Sequence, residues 1–174
     1  MRSEYILAGS GGQGLVMMGI LLGEAANREG YTVAQTQSYG IATRGGVSFS
    51  EVVISDREIL YPKTMSPDLI LVLTEETYVK FRGMYPDCKI FADRDAVPAG
   101  EKDPHVVSLP LSDYCRSAGN MRVLNLLAVG VVLGAAGLLS AGTMEEIIRR
   151  KFPSDYTANA AALHAGIALG CQAK

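Results

Sequence analysis

Near its start the chain carries Gly9-Ser-Gly11-Gly12-Gln13-Gly14, six residues whose types and spacing suit the binding of an anion. Glycine has no Cβ, so the backbone can turn tightly and present N–H groups to a ligand. If a helix begins just behind the turn, its unpaired donors and partial positive charge suit a phosphate or carboxylate. Gln13 adds a neutral hydrogen bond. A second glycine group follows at Tyr39-Gly40-Ile-Ala-Thr-Arg44-Gly45-Gly46. Arg44 there offers a rigid fork of donors to the same kind of group. The candidate binding set is therefore Gly9, Gly11, Gly12, Gln13, Gly14, Tyr39, Arg44, Gly45 and Gly46. The competing reading is that the glycines only let a strand and a helix pack closely, and that Arg44 is a surface cation.

The flanking residues supply the elements such a site needs. Tyr5–Ala8 reads as a buried strand. Leu15, Met18, Leu22, Ala25 and Ala26 then share one helical face. A second strand, Tyr31–Gln37, contains no carboxylate. A dinucleotide site wants Asp or Glu there to hold a ribose hydroxyl, so a nicotinamide-dependent dehydrogenase is disfavoured. Val47–Ile54 and Glu58–Tyr61, with Asp56-Arg57 between them, read as an antiparallel hairpin. Leu69–Leu73 is apolar on both faces, as in a central parallel strand. Thr74 caps a helix to about Tyr85, with Glu75 and Glu76 in its first turn. Further strands fall at Lys89–Ala92 and Val106–Leu109, separated by a polar excursion, and a short helix at Ser112–Ala118.

Val123–Met144 carries no charge and is long enough to span a bilayer. Gly137, Ser140 and Gly142 interrupt it, and Thr143-x-x-Glu146 reads as a capping box for a new helix ending near Lys151. Met121–Leu139 is accordingly expected as one buried helix, with close neighbours at Gly130 and Gly134. Ser154 or Asp155 should cap a last helix to about Gly170. The Asn125 amide needs partners, in holding a loop or in contact with a ligand or another subunit, with the structural role favoured, and His164 is expected as a packed or interface residue. The whole predicts a single domain, 1–174. It is an α/β fold, a three-layer α/β/α Rossmann-like arrangement with a mostly parallel, mixed sheet and one antiparallel hairpin. The anion site is expected where the turn Gly9–Gly14 meets the loop Tyr39–Gly46, at the carboxyl ends of neighbouring strands.

Composition narrows the functional classes. The 174 residues suit one core, with 48% hydrophobic and 20% charged residues. A formal net charge of −2 and the lack of a basic run argue against nucleic-acid binding. Cys88, Cys115 and Cys171 are scattered and cannot form a four-cysteine cluster within one chain. His105 and His164 do not make a metal spacing. No signal-peptide pattern opens the sequence, which predicts a cytoplasmic location. No catalytic triad or paired-carboxylate frame is visible. The apolar run and the alanine-rich end, Ala158–Ala168, predict a chain that works with partners.

Three motifs occur in order: Gly9-Ser-Gly11-Gly12-Gln13-Gly14, Tyr39-Gly40-x-x-x-Arg44-Gly45-Gly46-x-Ser48, and Gly119-Asn120-x-x-x-x-Asn125-x-x-x-x-Gly130. Together, over nearly the whole chain, they resemble the gamma subunit, or gamma domain, of 2-oxoacid:ferredoxin oxidoreductases. The resemblance implies a subunit with no activity alone. The complex it implies converts a 2-oxoacid, coenzyme A and oxidised ferredoxin to acyl-CoA, carbon dioxide and reduced ferredoxin, with 2-oxoglutarate slightly favoured. It also implies thiamine diphosphate, magnesium and [4Fe–4S] clusters in partner subunits, namely thiamine-binding alpha and beta subunits and a ferredoxin-like delta subunit. Coenzyme A binding and assembly would be the gamma part's share, with a homodimer possible in isolation. The alternatives are a free-standing Rossmann-like nucleotide-binding protein and a purely structural module.

Overall fold

The computed structural model describes residues 1–38 and 46–173. Six strands form one sheet: β1 (Arg2–Ser10), β2 (Thr32–Ser38), β3 (Val47–Ser55), β4 (Leu69–Val72), β5 (Ile90–Asp93) and β6 (Val106–Leu109). Their order is β2-β3-β1-β4-β5-β6. β1, β4, β5 and β6 run parallel, while β3 lies antiparallel between β1 and β2. The mixed, mostly parallel sheet of the sequence reading is thus present. Its antiparallel hairpin is not the expected one. Glu58–Tyr61 forms no strand, and β3 pairs with β2 instead, from Val33 opposite Ile54 to Ser38 opposite Phe49. The alternation that marks β3 as a strand does not reveal its partner, because a strand flanked on both sides pairs wherever the register buries it.

Six helices cover the sheet: α1 (Leu15–Arg28), α2 (Glu75–Met84), α3 (Leu111–Ser117), α4 (Leu124–Ala136), α5 (Ala141–Lys151) and α6 (Tyr156–Gln172). On one face, Tyr5, Leu7, Val52, Ile54 and Leu71 meet side chains of α1, α3, α4, α5 and α6. On the other, Ile6, Ala8, Ile70 and Val72 meet Phe81 of α2 and Val97. Beside α2, the irregular segment 56–67 lies over β1 and β3. Glu4 of β1 is buried and accepts hydrogen bonds from the amides of Met65 (2.6 Å) and Ser66 (2.8 Å) and from Arg2 Nε (2.5 Å). Glu51 of β3 accepts from the Thr64 amide and hydroxyl. Two carboxylates on the sheet thereby replace a helix as the means of holding this layer.

α4 is sandwiched between the sheet and α6, which explains why it is apolar all round. It is preceded by a 3₁₀ turn, Met121–Val123, and ends at Gly137, whose φ of 65° stops the helix. No helix among the described residues is long and apolar enough to cross a membrane. The α4–α6 contact is made backbone to backbone. A Cβ on Gly130 would strike the Leu163 carbonyl, one on Gly134 the Ile167 carbonyl, and ones on Gly166 and Gly170 the Leu127 and Val131 carbonyls. The expected close approach at Gly130 and Gly134 is present, and it is matched by a second G-x-x-x-G on α6.

Three local expectations are corrected. α5 is capped by Ser140, whose Oγ accepts from the Gly142 amide at 3.2 Å, so Thr143 lies inside the helix and is not the cap. Asp155 occupies the N-cap of α6, but its side chain does not cap; its Oδ2 accepts from Ser154 Oγ instead. His164, expected as packed or at an interface, is exposed on α6 with Nε2 2.8 Å from Glu145 of α5, which removes the packed setting within this chain and leaves the interface one. The uncharged run was also expected to leave apolar surface bare. Between Val123 and Gly134 it is buried within the chain by α6, α1 and the sheet, apart from half-buried Asn125.

Candidate anion-binding site

β1 ends at Ser10 and α1 begins at Leu15, so residues 11–14 turn the chain from the sheet onto the face that α1 covers. β4, the parallel neighbour of β1, leads instead into α2 on the opposite face. The carboxyl ends of β1 and β4 thus diverge, which opens the crevice where open α/β sheets take ligands. The Leu73 amide donates to the Ala8 carbonyl (2.9 Å) and closes the floor of this crevice.

The glycines have distinct tasks. A Cβ on Gly9 would meet Leu73 Cβ at 3.2 Å and collide with Gln13. Gln13 folds back, its Oε1 accepting from the Ser10 amide at 2.7 Å. Its carbonyl oxygen is therefore spent on shaping the turn. Gly12 and Gly14 have φ of 90° and 77°, conformations that favour glycine. Gly11 and Gly12 have open space where a Cβ would point. The amides of Gly11, Gly12 and Gly14 find no hydrogen-bond partner among the described residues. Gly14 is the N-cap of α1 with no side chain capping the helix, and no acidic residue occupies the first turn. The turn is donor-rich and acceptor-poor, the arrangement a phosphate requires. It borders a hollow of about 250 Å³ lined by Ser10, Gly11, Gly12, Gly14, Leu15, Val16 and Ser48.

α1 is held close to the sheet beneath this hollow. Gly19 lets Ser50 Oγ and Gln35 Nε2 approach its backbone, and Gln35 Nε2 donates to Ser50 Oγ (3.0 Å) and to the Val16 carbonyl (3.2 Å). Neither Gln35 nor Ser50 stands out in the sequence. Their alternation on β2 and β3 marks a face, and the spacing of Gly19 on α1 is the one signal that a close approach occurs.

Of the second motif, Tyr39, Arg44 and Gly45 lie outside the described residues. Gly46 is half-buried immediately before β3, whose first residue, Val47, pairs with Ser10. The expectation that β1 and β2 are neighbours is corrected, because β3 stands between them. Gly46 nevertheless comes next to Ser10, because β3 is antiparallel to β1 and its first residue, Val47, pairs with Ser10.

Sequence reasoning favours a structural role for Asn125 over a ligand contact, yet it adjoins this turn. A Cβ on Gly14 would lie 3.1 Å from both Asn125 Cβ and Nδ2. Asn125 also lines a second hollow of about 420 Å³ with Gly119, Asn120, Arg122, Phe152, Asp155 and Asn159. Another hollow, of about 400 Å³, lies at the opposite edge of the sheet among Met1, Tyr5, Leu69, Phe91 and Leu138. It sits at the strand starts, away from the carboxyl edge where ligands gather.

Residues 4–169 match the family model described as pyruvate ferredoxin/flavodoxin oxidoreductase. The chain is 36% identical over 163 residues to the 2-oxoglutarate synthase subunit KorC of Methanothermobacter marburgensis, covering 88% of each. It superimposes on the gamma subunit of a keto/oxoacid ferredoxin oxidoreductase from Geobacter sulfurreducens with a TM-score of 0.85 at 29% identity, covering 100% of this chain and 99% of that one. It shares its fold with part of the 2-oxoglutarate:ferredoxin oxidoreductase of Magnetococcus marinus, solved with 2-oxoglutarate, coenzyme A and succinyl-CoA. There the TM-score is 0.88 at 20% identity, over 98% of this chain and 31% of that one.

Proposed function

The chain belongs to the pyruvate ferredoxin/flavodoxin oxidoreductase family, and from that premise we propose that it serves as the gamma subunit of a 2-oxoacid:ferredoxin oxidoreductase acting on 2-oxoglutarate. Four relatives 31%, 34%, 36% and 38% identical to it are 2-oxoglutarate synthase subunits, which supports that choice of acid. In such a reaction the 2-oxoacid loses carbon dioxide, its acyl carbon forms a thioester with the sulfur of coenzyme A, and the electrons released pass to ferredoxin. The chain's own part is to hold coenzyme A by its phosphates and to complete the assembly.

The observation that carries this reading is the donor-rich turn at the carboxyl end of β1, beside Ser48 of β3. The amides of Gly11, Gly12 and Gly14 and the uncapped start of α1 converge on one hollow. Tyr39, Arg44, Gly45 and Gly46 of the second motif are the further candidates for the same anion, Arg44 by its charge. Gly9 and Gln13 set the turn's shape.

Thiamine diphosphate, magnesium and the [4Fe–4S] clusters belong to alpha, beta and delta partners, since the thiols here do not converge: Cys115 is buried, Cys88 half-buried and Cys171 exposed. The partner-facing side is the thin layer over β1 and β3. Leu60 is 86% exposed and Met65 68%, and Met65 shares a surface hollow with Met84 of α2. Exposed apolar residues gathered in this way suit a protein interface.

The test uses the complex purified with its partner subunits. Gly11→Asp places a carboxylate in open space without a steric clash. It should raise the KM for coenzyme A about tenfold or more while assembly stays intact, and Arg44→Ala should weaken binding by about 1.5–3 kcal/mol. Unchanged KM values for both variants in a normally assembled complex would assign the turn to packing alone.

A further inference from the structure

The second hollow, on the far side of Asn125 from the glycine turn, has a set of groups that nothing in the fold requires. Asn159 of α6 is 7% exposed, lines the hollow, and its carboxamide makes no hydrogen bond among the described residues. That carboxamide is not sealed from solvent but opens into the hollow. Asn125 uses its Oδ1 on the Leu126 amide (2.9 Å), which leaves Nδ2 without a hydrogen-bond partner among the described residues. Asn120 uses its Oδ1 on the Arg122 amide (3.0 Å). The Arg122 guanidinium forms no ion pair among the described residues, whereas Arg2, Arg28, Arg82, Arg94, Arg116 and Arg150 all do. Phe152 supplies an aromatic surface and Asp155 a carboxylate.

Each group has a counterpart on one molecule. A carboxamide pairs with the edge of adenine, which offers adjacent donor and acceptor. An aromatic ring stacks on the base. A carboxylate accepts from a ribose hydroxyl, and a free guanidinium takes a phosphate. We propose that this hollow holds the adenosine 3′-phosphate end of coenzyme A, with Asn159 on the adenine edge and Arg122 on the 3′-phosphate. Asn125 stands at the boundary where the ribose hands over to the diphosphate on the glycine turn. The assignment rests on the coenzyme A reading of that turn and gives the chain the means to tell coenzyme A from dephospho-coenzyme A.

The test again uses the complex with its partner subunits, compared on coenzyme A and dephospho-coenzyme A. Arg122→Gln changes an exposed residue and should preserve folding. It should raise the KM for coenzyme A about tenfold, leave that for dephospho-coenzyme A unchanged, and so abolish the discrimination. Asn159→Leu keeps the branched shape without the polar atoms and should weaken inhibition by adenosine 3′,5′-bisphosphate about fivefold to tenfold, while inhibition by 4′-phosphopantetheine stays the same. An undiminished preference for coenzyme A in Arg122→Gln, or equal inhibition of Asn159→Leu and the unsubstituted complex by adenosine 3′,5′-bisphosphate, overturns the proposal. Those results leave the coenzyme A reading standing if Gly11→Asp still raises the KM. If Gly11→Asp has no effect, the reading on which the proposal rests falls first.

Discussion

Asn125 lies against the bare α-carbon of Gly14, so close that a methyl group there would sit 3.1 Å from its Cβ and Nδ2. The contact joins the start of α4 to the start of α1 at the two hollows. Gly14→Ala should cost about 1–2 kcal/mol for the left-handed backbone alone, and more for the crowding. Asn125→Ala removes the Nδ2 contact but keeps the Cβ one, and should relieve only part of the crowding. A double-mutant cycle in urea should therefore give a favourable coupling of about 0.5–1.5 kcal/mol. Simple additivity would show that the two residues do not press on each other.

Glycines in this chain should respond to alanine with opposite signs. Gly166→Ala drives a methyl into the Leu127 carbonyl, where backbone has to move, and should lower stability by about 1–3 kcal/mol. Gly83 lies inside α2 with nothing near its missing Cβ. Gly83→Ala should raise stability by about 0.5–1 kcal/mol. Shifts of the denaturation midpoint in the same direction for both variants would contradict the tight α4–α6 seat.

Glu4 should shape the acid limb of stability. Burial pushes its carboxyl up, but the Ser66 amide, Arg2 and the Met65 amide outweigh burial and hold it below its ordinary value. A group with a folded pKa below its unfolded one stabilises above the unfolded pKa, about 4.3, and loses that contribution as pH falls through the folded value. Glu4→Gln should cost about 1.5–3 kcal/mol at pH 7 and flatten the loss of stability below about pH 4.5. Urea midpoints measured from pH 3 to pH 7 read both effects.

Thiol reactivity should separate the three cysteines. Burial, with Asp68 nearby, pushes the Cys88 thiol up to about 11, and burial, with Asp93 nearby, does the same for Cys115. Cys171 is exposed on α6. At pH 8 a disulfide reagent should release one thiol equivalent quickly from the native chain, and the Cys171→Ser variant should release almost none until it is unfolded. Fast release from Cys171→Ser would mean that the 56–67 layer or α3 opens readily.

The legible part of this fold was the part with a local cause. The strand–glycine–helix order of residues 5–26 and the Thr74 cap follow from neighbours in sequence, and the motif set pointed to the family, whereas the helix expected over Met121–Leu139 is a 3₁₀ turn followed by a helix that already stops at Gly137. What escaped was set at a distance. β3 enters between β1 and β2 because its register buries Val52 and Ile54 there, and no pattern inside β3 specifies that partner. Thr143 formed a plausible capping box, but Ser140 stands three residues earlier and takes the role. The apolar run looked like exposed surface because its cover, α6, is itself weakly patterned. Alanines and two spaced glycines build a close backbone contact with little hydrophobic signal. Gln35, Ser50, Asn159 and Arg122 are ordinary polar residues in sequence. Closeness to a bare glycine for Gln35 and Ser50, and a shared hollow for Asn159 and Arg122, give them meaning only in three dimensions.

The glycine-to-glycine seat between α4 and α6 also bears on how the chain is made. α4 emerges from the ribosome while α6, its only cover on that side, is still to be synthesised. At about 5–20 residues per second, the apolar segment waits for seconds beside a half-finished sheet. The groove is fitted to the bare backbone at Gly166 and Gly170, where a Cβ would strike the α4 carbonyls, so segments that carry side chains there fit it poorly. Nascent chains halted before residue 156 should therefore be held by chaperones, and chains extended past residue 172 should be released.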